Sequence, residues 1–450
     1  MNITQLQKVY FIGIGGIGMS ALARYLRRRG VRVAGYDKTP SDLTNALISE
    51  GIAVDYQEDS YLKNMDAELV VYTPAIKANE HAGLRYFIEN DYKVMKRAEL
   101  LGKICADKYV IAVAGTHGKT TITAWVAHLL QEAGIGCTAF IGGISLNYNT
   151  NLLDNNDKIV VVEADEYDRS FLQLKPDIAV ITALDADHLD IYGTHQKMLE
   201  AYSQFVKNIK PNGKLILHEQ VAAQCPQWEN AITYGDKIEE NSYFLREFSL
   251  KEKFSNYLVI KYFENKTKSY NLVVSIAGYY NFINSIPVIA IGDVLKMPEK
   301  NIVAAIRSFK GISRRFEVMF YQNTSIWIDD YAHHPQEINQ LLYAVKRQFE
   351  HRNITVIFQP HLYSRTRDFV KEFAQALNMA DNVYLMPIYP AREQAIEGVT
   401  SQVIADKLNN FRGFISHQQA LLFLKKQLDG VCLTVGAGDI DLLRTMYFKP

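Results

Sequence analysis

Short apolar runs rich in β-branched residues alternate with segments of helical period almost from one end of this chain to the other, and no other feature limits the fold as much. Strands that recur only after a helix lie parallel and are buried on both faces, so the fold class is α/β, built from successive βαβ units. The first unit reads as strand Lys8 to Ile14, a turn over glycines 13 to 18, helix Met19 to Arg29 and strand Val31 to Tyr36. Leu69 to Tyr72 and Lys93 to Met95 are further strands, and a first domain closes near Cys105. A fresh start follows at strand Lys108 to Ala114, with helix Thr121 to Ala133 and strands at Lys158 to Glu163, Asp177 to Thr182 and Lys214 to His218. From about Asn241 to Ser275 aromatic and charged residues alternate, the pattern of an antiparallel side sheet. After two helical segments, Ile283 to Leu295 and Lys300 to Phe309, Phe309 to Ser313 reads as a linker. A third unit runs from about Arg314, with strands at Ser325 to Asp329, Ile354 to Phe358, Asn382 to Met386 and Val431 to Val435.

A chain of 450 residues suits roughly three domains, and those breaks divide it into 1–105, 106–312 and 313–450. Lysine plus arginine total 49 and aspartate plus glutamate total 49, so the formal charge is zero and no nucleic-acid partner is expected. The four cysteines lie far apart without a C-x-x-C pair, which suggests buried reduced thiols rather than a disulfide framework. The N-terminal residues lack the charged start and cleavage site of a signal peptide, and no run is long and apolar enough to span a bilayer. The expectation is a cytoplasmic protein with no membrane insertion.

Two glycine turns carry the first chemistry. Gly115, Thr116, His117, Gly118, Lys119, Thr120 and Thr121 follow an apolar strand and open a helix, so main-chain N–H groups and the helix N-terminus face one anion-sized space. A lysine there pairs with terminal phosphates, and the hydroxyl of Thr120 suits Mg²⁺. The strict phosphate-loop pattern has a glycine where this chain has Val113. Gly13, Gly15, Gly16, Ile17 and Gly18 form the second turn, with Asp37 about 20 residues on, and match the dinucleotide fingerprint in form. That geometry serves any pyrophosphate, so NAD and a UDP-sugar are both admissible.

Carboxylates gather after two neighbouring strands: Glu163-Ala-Asp165-Glu166, then Asp185-Ala-Asp187-His188-Leu-Asp190. Open α/β sheets bind ligands at such strand ends, and oxygen donors with one imidazole suit Mg²⁺ or Mn²⁺ on nucleotide phosphates. In the last third, Asp329-Asp330-Tyr331-Ala-His333-His334-Pro335 and Pro360-His361-Leu-Tyr363-Ser-Arg365 each follow a strand. The His-His pair has no third ligand at zinc spacing.

Taken in order, these residues resemble one family, the Mur ligases of peptidoglycan synthesis, over essentially the whole chain. The resemblance rests on GIGGIGMS from Gly13, GTHGKTT from Gly115, EADE from Glu163, DHLD from Asp187, RRFE from Arg314, DDYAHHP from Asp329, PHLYSRT from Pro360 and GAGDI from Gly436. It implies three domains: an N-terminal Rossmann-like UDP-binding domain, a central ATPase domain and a C-terminal Rossmann-like domain that closes over an amino acid. The match is best to the alanine-adding branch, whose partners are UDP-N-acetylmuramate and L-alanine. The implied reaction transfers the ATP γ-phosphate to the muramoyl carboxylate, and the amine then attacks the acyl phosphate.

By the same resemblance Lys119 holds the γ-phosphate, Thr120 and Glu163 ligate one Mg²⁺, and His188 ligates a second. Asn281, Asn284, Arg315 and Asp330 are assigned to the nucleotide, with Tyr280 standing where family members carry a histidine. Gly13, Gly15, Gly16, Ile17, Gly18 and Asp37 are assigned to the UDP-sugar. Tyr331, His333, His361 and Arg365 form the amino-acid pocket, with His333 and Arg365 also in the catalytic set; Leu362 departs from the arginine common there. A monomer or weak homodimer is expected. Three competing readings are a ligase of the same family that attaches a whole tripeptide, an NAD-dependent oxidoreductase, and a nucleotide-binding regulatory protein without turnover. The oxidoreductase would leave the second glycine turn, the EADE run and the last third without a purpose.

Overall fold

The computed structural model describes residues 3–185, 189–228, 231–236, 242–249, 255–263, 266–322, 324–391, 393–426 and 428–448. Two compact units are present. One comprises the chain up to Glu247 with Leu258–Leu272 and Ile283–Phe309; the other comprises Phe248–Tyr257, Val273–Phe282 and the chain from Lys310.

The first unit opens with five strands, β1 Lys8–Ile12, β2 Arg32–Tyr36, β3 Ala53–Asp55, β4 Leu69–Tyr72 and β5 Val94–Lys96. They form an all-parallel sheet in the order β3-β2-β1-β4-β5. Strand order reverses at β1, so the crevice beyond its C-terminal end is the expected ligand position, and the first glycine turn occupies it. Helix Ile17–Arg28 begins two residues earlier than its apolar period predicts, which places Gly18 inside the first turn of helix.

The ten strands that follow are β6 Tyr109–Ala114, β7 Thr138–Ser145, β8 Thr150–Asp154, β9 Ile159–Glu163, β10 Ile178–Ile181, β11 Lys214–His218, β12 Ile232–Gly235, β13 Ser242–Ser249, β14 Ser255–Phe263 and β15 Lys266–Val274. Their order is β15-β14-β13-β12-β11-β10-β6-β9-β7-β8, and β6 sits at the switch point between β10 and β9. The strands expected between residues 241 and 275 are present as β13 to β15, but they do not stand aside as a separate sheet. They extend the central sheet, because β13 pairs with β12 in parallel from Thr233 opposite Ser242.

One apolar core serves both sheets, running from Val9, Phe11 and Leu22 through Ala112 and Val162 to Phe205 and Trp228. Polar contacts reinforce it. Buried Asn151 on β8 donates to the carbonyl of Ile17 at 2.7 Å and to Ser20 Oγ at 2.9 Å, and accepts from Arg24. Arg29, just past the end of the same helix, grips Asp154 through two contacts of 2.8 and 3.1 Å. The stretch read as a linker is anchored at its start: Phe309 is fully buried and stacks on Trp125 with ring centroids 4.6 Å apart.

The second unit contains β16 Glu317–Gln322, β17 Ser325–Asp330, β18 Ile354–Phe358, β19 Asn382–Leu385, β20 Phe411–Phe414 and β21 Gly430–Val435. The order is β16-β17-β21-β18-β19-β20, parallel except for the β16 edge. Alternation along β17 sends Ile326 and Ile328 into one core and Trp327 into the other, so both faces are covered. The four cysteines are buried thiols, and no helix among the described residues is long and apolar enough to cross a membrane.

Candidate active site

In the first turn Gly13 has φ +86°. A Cβ on Gly15 would lie 2.7 Å from Thr44 and 2.8 Å from Asp37, so the chain passes too close for any side chain. Gly15 N–H donates to Asp37 Oδ2 at 2.7 Å, and the other oxygen accepts from the Lys38 N–H at 2.8 Å. The acidic residue singled out by spacing therefore braces the loop itself. At Gly18 a side chain would strike the guanidinium of Arg97.

The second turn leaves β6 at the switch point and opens helix Lys119–Glu132. Gly115 and Gly118 adopt φ +119° and +80°, and a Cβ on Gly118 would lie 2.8 Å from Asn284 Oδ1. Asn284 thus borders the loop. Lys119 Nζ donates to the Gly115 carbonyl at 2.7 Å and to the two oxygens of Glu166 at 2.8 and 2.9 Å. Burial disfavours its charge, but Glu166, Glu163 and Asp165 outweigh burial and hold the pKa above the ordinary lysine value. Thr120 Oγ1 donates to Glu163 Oε2 at 2.9 Å, and Gly142 on β7 leaves room for that carboxylate. A hydroxyl and a carboxylate converging beside the lysine make an oxygen donor set that fits Mg²⁺. On the other flank His117 Nε2 lies 3.2 Å from Asp185, and that contact holds the carboxyl below its usual range. His188 and Asp187 lie outside the described residues.

Beside the first turn lies a cavity of about 110 Å³, lined by Ile17, Gly18 and Arg97 from one side and Gly142, Glu163 and Asp165 from the other. Arg97 pairs with Asp165 at 2.8 Å, and Lys96 with Asp168 at 2.8 Å. Sequence reasoning missed these two cations. Their signal was positional, a Lys-Arg pair at the end of β5, in the same row of strand ends as the first turn.

In the second unit the loops after β17 and β18 flank β21 and bring the predicted pocket residues together. The rings of Tyr331 and His333 are 5.2 Å apart, and those of His333 and His361 5.8 Å. Arg315 and Arg314 lie over the Tyr331 ring at 5.4 and 5.3 Å. Burial pushes the His361 imidazole down to about 4, with His333 and Arg365 adding to the shift. His333 is likewise lowered by burial, against the pull of Glu337. Glu337, which sequence reasoning passed over, accepts from the main-chain N–H groups of His333 and His334 at 2.9 and 3.1 Å. Burial would raise its pKa, but His333 and Arg315 bring it down to about 2. A Glu three residues after His334 is the helix-start pattern that could have revealed it.

Asp330, assigned to the nucleotide, is buried and accepts from the N–H groups of Phe316 and Ala332 at 2.7 and 2.8 Å; burial raises its pKa to about 6. Its carboxylate clamps the turn that carries Arg315. Asn281 bonds back to the Ala277 carbonyl, and Tyr280 packs edge-on to Phe316. Arg314 joins three motifs, reaching Asp329 at 3.0 Å and the Gly436 carbonyl at 2.6 Å.

A phosphate loop at one switch point, a pyrophosphate-type turn at another and an Arg/His pocket on a third sheet define the class. Residues 8–109 match the Mur ligase family catalytic domain, 113–292 the Mur ligase middle domain and 314–438 the Mur ligase glutamate ligase domain. The chain belongs to the Mur ligase family. It is 43% identical to the UDP-N-acetylmuramate–L-alanine ligase of Cytophaga hutchinsonii, over 98% of this chain and 96% of the relative. The crystal structure of UDP-N-acetylmuramate–alanine ligase from Thermotoga maritima superposes with a TM-score of 0.83 at 29% identity, covering 98% of each chain. A murein peptide ligase from Psychrobacter arcticus shares the fold, with a TM-score of 0.69 at 22% identity and 98% of each chain covered.

Proposed function

We propose that this chain joins L-alanine to the carboxylate of UDP-N-acetylmuramate with ATP as the activating reagent, releasing ADP and phosphate, in the cytoplasmic assembly of peptidoglycan precursors. The observation that carries the reading is the cavity shared by Gly18 and Arg97 on one side and Glu163 on the other. It offers one space in which a UDP-linked carboxylate and a phosphoryl donor can meet.

In this reading Gly13, Gly15, Gly16, Ile17 and Gly18, braced by Asp37, present main-chain N–H groups to the UDP pyrophosphate. The amides of Gly115 to Thr121 surround the ATP phosphates, while Asn281, Asn284, Arg315 and Asp330 serve the rest of the nucleotide. Thr120 and Glu163, with His188, would hold Mg²⁺, which supplies charge neutralisation at the transferring phosphate. Lys119 compensates the charge that develops as the muramoyl carboxylate oxygen attacks the γ-phosphorus and ADP leaves. Arg365 pairs the alanine carboxylate, and Tyr331 and His361 wall the pocket. His333, kept neutral near pH 7 by its burial, takes a proton from the alanine ammonium. The freed amine attacks the acyl carbon, and the tetrahedral intermediate collapses with loss of phosphate. The three roles fall to residues 1–105, 106–312 and 313–450, in a monomer or weak homodimer.

The deciding experiment is phosphate release from ATP, Mg²⁺ and UDP-N-acetylmuramate, with and without L-alanine, followed by mass detection. A product heavier by one alanine residue is expected. Turnover with a tripeptide and none with L-alanine would overturn the choice of amine.

A further inference from the structure

β9 ends at Glu163, and the segment that follows it has an unusual backbone. Asp168 and Arg169 are consecutive non-glycine residues in the left-handed region, at φ +53° and +55°. Such a conformation persists only where the surroundings over-determine it. Four contacts do so here: Lys96 to Asp168 and Arg97 to Asp165, both at 2.8 Å, Tyr192 Oη donating to the Glu166 carbonyl at 2.6 Å, and the Phe171 N–H donating to the Asp165 carbonyl at 2.9 Å. At the centre of this braced loop, the fully buried Glu166 takes the Lys119 ammonium on both oxygens.

A buried ion pair is a weak source of stability, because the desolvation of two charges offsets most of their attraction. What such a pair provides is geometry. A lysine stem has four rotatable bonds, and a phosphate loop gains from an ammonium whose direction is fixed before the phosphate arrives. With its three donors on Gly115 and Glu166, Lys119 is fixed in that way and must release part of this set to meet a phosphate.

We propose that Glu166 is a positioning residue for phosphoryl transfer: it aims Lys119 along the phosphate loop, and the strained loop that carries it is strapped by Lys96 and Arg97 from the end of the N-terminal sheet. The proposal rests on the reading that Lys119 meets the γ-phosphate. Because Glu166 competes with that phosphate for the ammonium, it weakens ground-state binding of ATP and raises the rate of transfer. Lys96 acts through Asp168 on the same loop, so its contribution passes through Glu166.

The test uses the full chain with ATP, Mg²⁺, UDP-N-acetylmuramate and L-alanine. Glu166→Gln is expected to lower kcat about tenfold or more while KM for ATP stays level or falls, and Glu166→Asp to recover part of kcat. A kcat within twofold of the parent overturns the proposal, as does a KM for ATP that rises by the same factor as kcat falls. Should Glu166→Gln fail to fold, Lys96→Met carries the test through a kcat reduced at least threefold at unchanged KM for ATP. Where both fold, the double variant is expected to be no worse than Glu166→Gln alone, and multiplicative losses overturn the coupling. Lys119→Ala separates the two failures: if it keeps turnover within tenfold, the phosphate-loop reading itself falls, whereas a collapse there with an unaffected Glu166→Gln removes only Glu166.

Discussion

The loop after β1 and the loop after β6 both leave a central parallel strand and both open a helix, but only the second carries its own cation. In the first, the residue at the helix start is Gly16, with ordinary φ of −64°, and the loop's own charged partner is an anion, Asp37, bonded to the Gly15 N–H. In the second, Gly118 stands at that place with φ +80°, and the next residue is Lys119. The difference fits the chemistry proposed for each loop. A pyrophosphate that is only held needs dipoles and close backbone approach, whereas a phosphoryl group that moves needs a charge to compensate its transition state. The switch-point position is shared; in the proposed reading the lysine marks the loop at which the phosphoryl group is transferred.

The comparison breaks most readily at that lysine. Lys119→Ala is expected to lower kcat by about 10²- to 10³-fold, the scale for loss of one preorganised donor to developing charge, as measured by ADP release; a loss below tenfold would put the two loops on the same footing. Gly118→Ala places a side chain in a conformation that costs about 1–2 kcal/mol and against Asn284. Titration with an ATP analogue should show binding weaker by about tenfold, with UDP-N-acetylmuramate binding unchanged. Asp37→Ala should do the converse, raising KM for the UDP-sugar by roughly threefold to tenfold through loss of the charge-assisted bond to Gly15, with ATP unaffected. The smallest effect belongs to Gly16→Ala, whose added Cβ would meet nothing closer than 3.5 Å. Its Tm should equal the parent's, with KM for the UDP-sugar about twofold higher; no change in KM would remove Gly16 from the ligand's path.

Both loops were legible because their signals are local: a strand, a glycine turn and a helix within some twenty residues. Strands such as Leu69–Tyr72, Lys214–His218 and Ile354–Phe358 have the bounds that their apolar runs predict. The β7 strand was not legible, because its Gly142 and Gly143 interrupt any alternation; Gly142 is there to admit Glu163. Partners distant in sequence were equally hidden. Nothing local ties Lys119 to Glu166, 47 residues on, or Arg97 to Asp165, and only folding aligns the strand ends that bring them together. Glu337 was overlooked for a different reason, since a capping glutamate is common and becomes significant only once His333 is seen against it.

The amide of Asn151, buried against the first helix, bears on how this protein can be taken apart. Family boundaries place a seam near residue 109, yet Asn151 and Asp154 lie beyond that seam and hold Arg24 and Arg29, which lie before it. Excising the N-terminal sheet would take Asp154 from Arg29 and Arg24 from Asn151, and would bare the shared core on both fragments. The family boundary and the cooperative unit therefore fall in different places: the two segments on either side of that seam belong to one compact unit, and heat or denaturant should melt them as one.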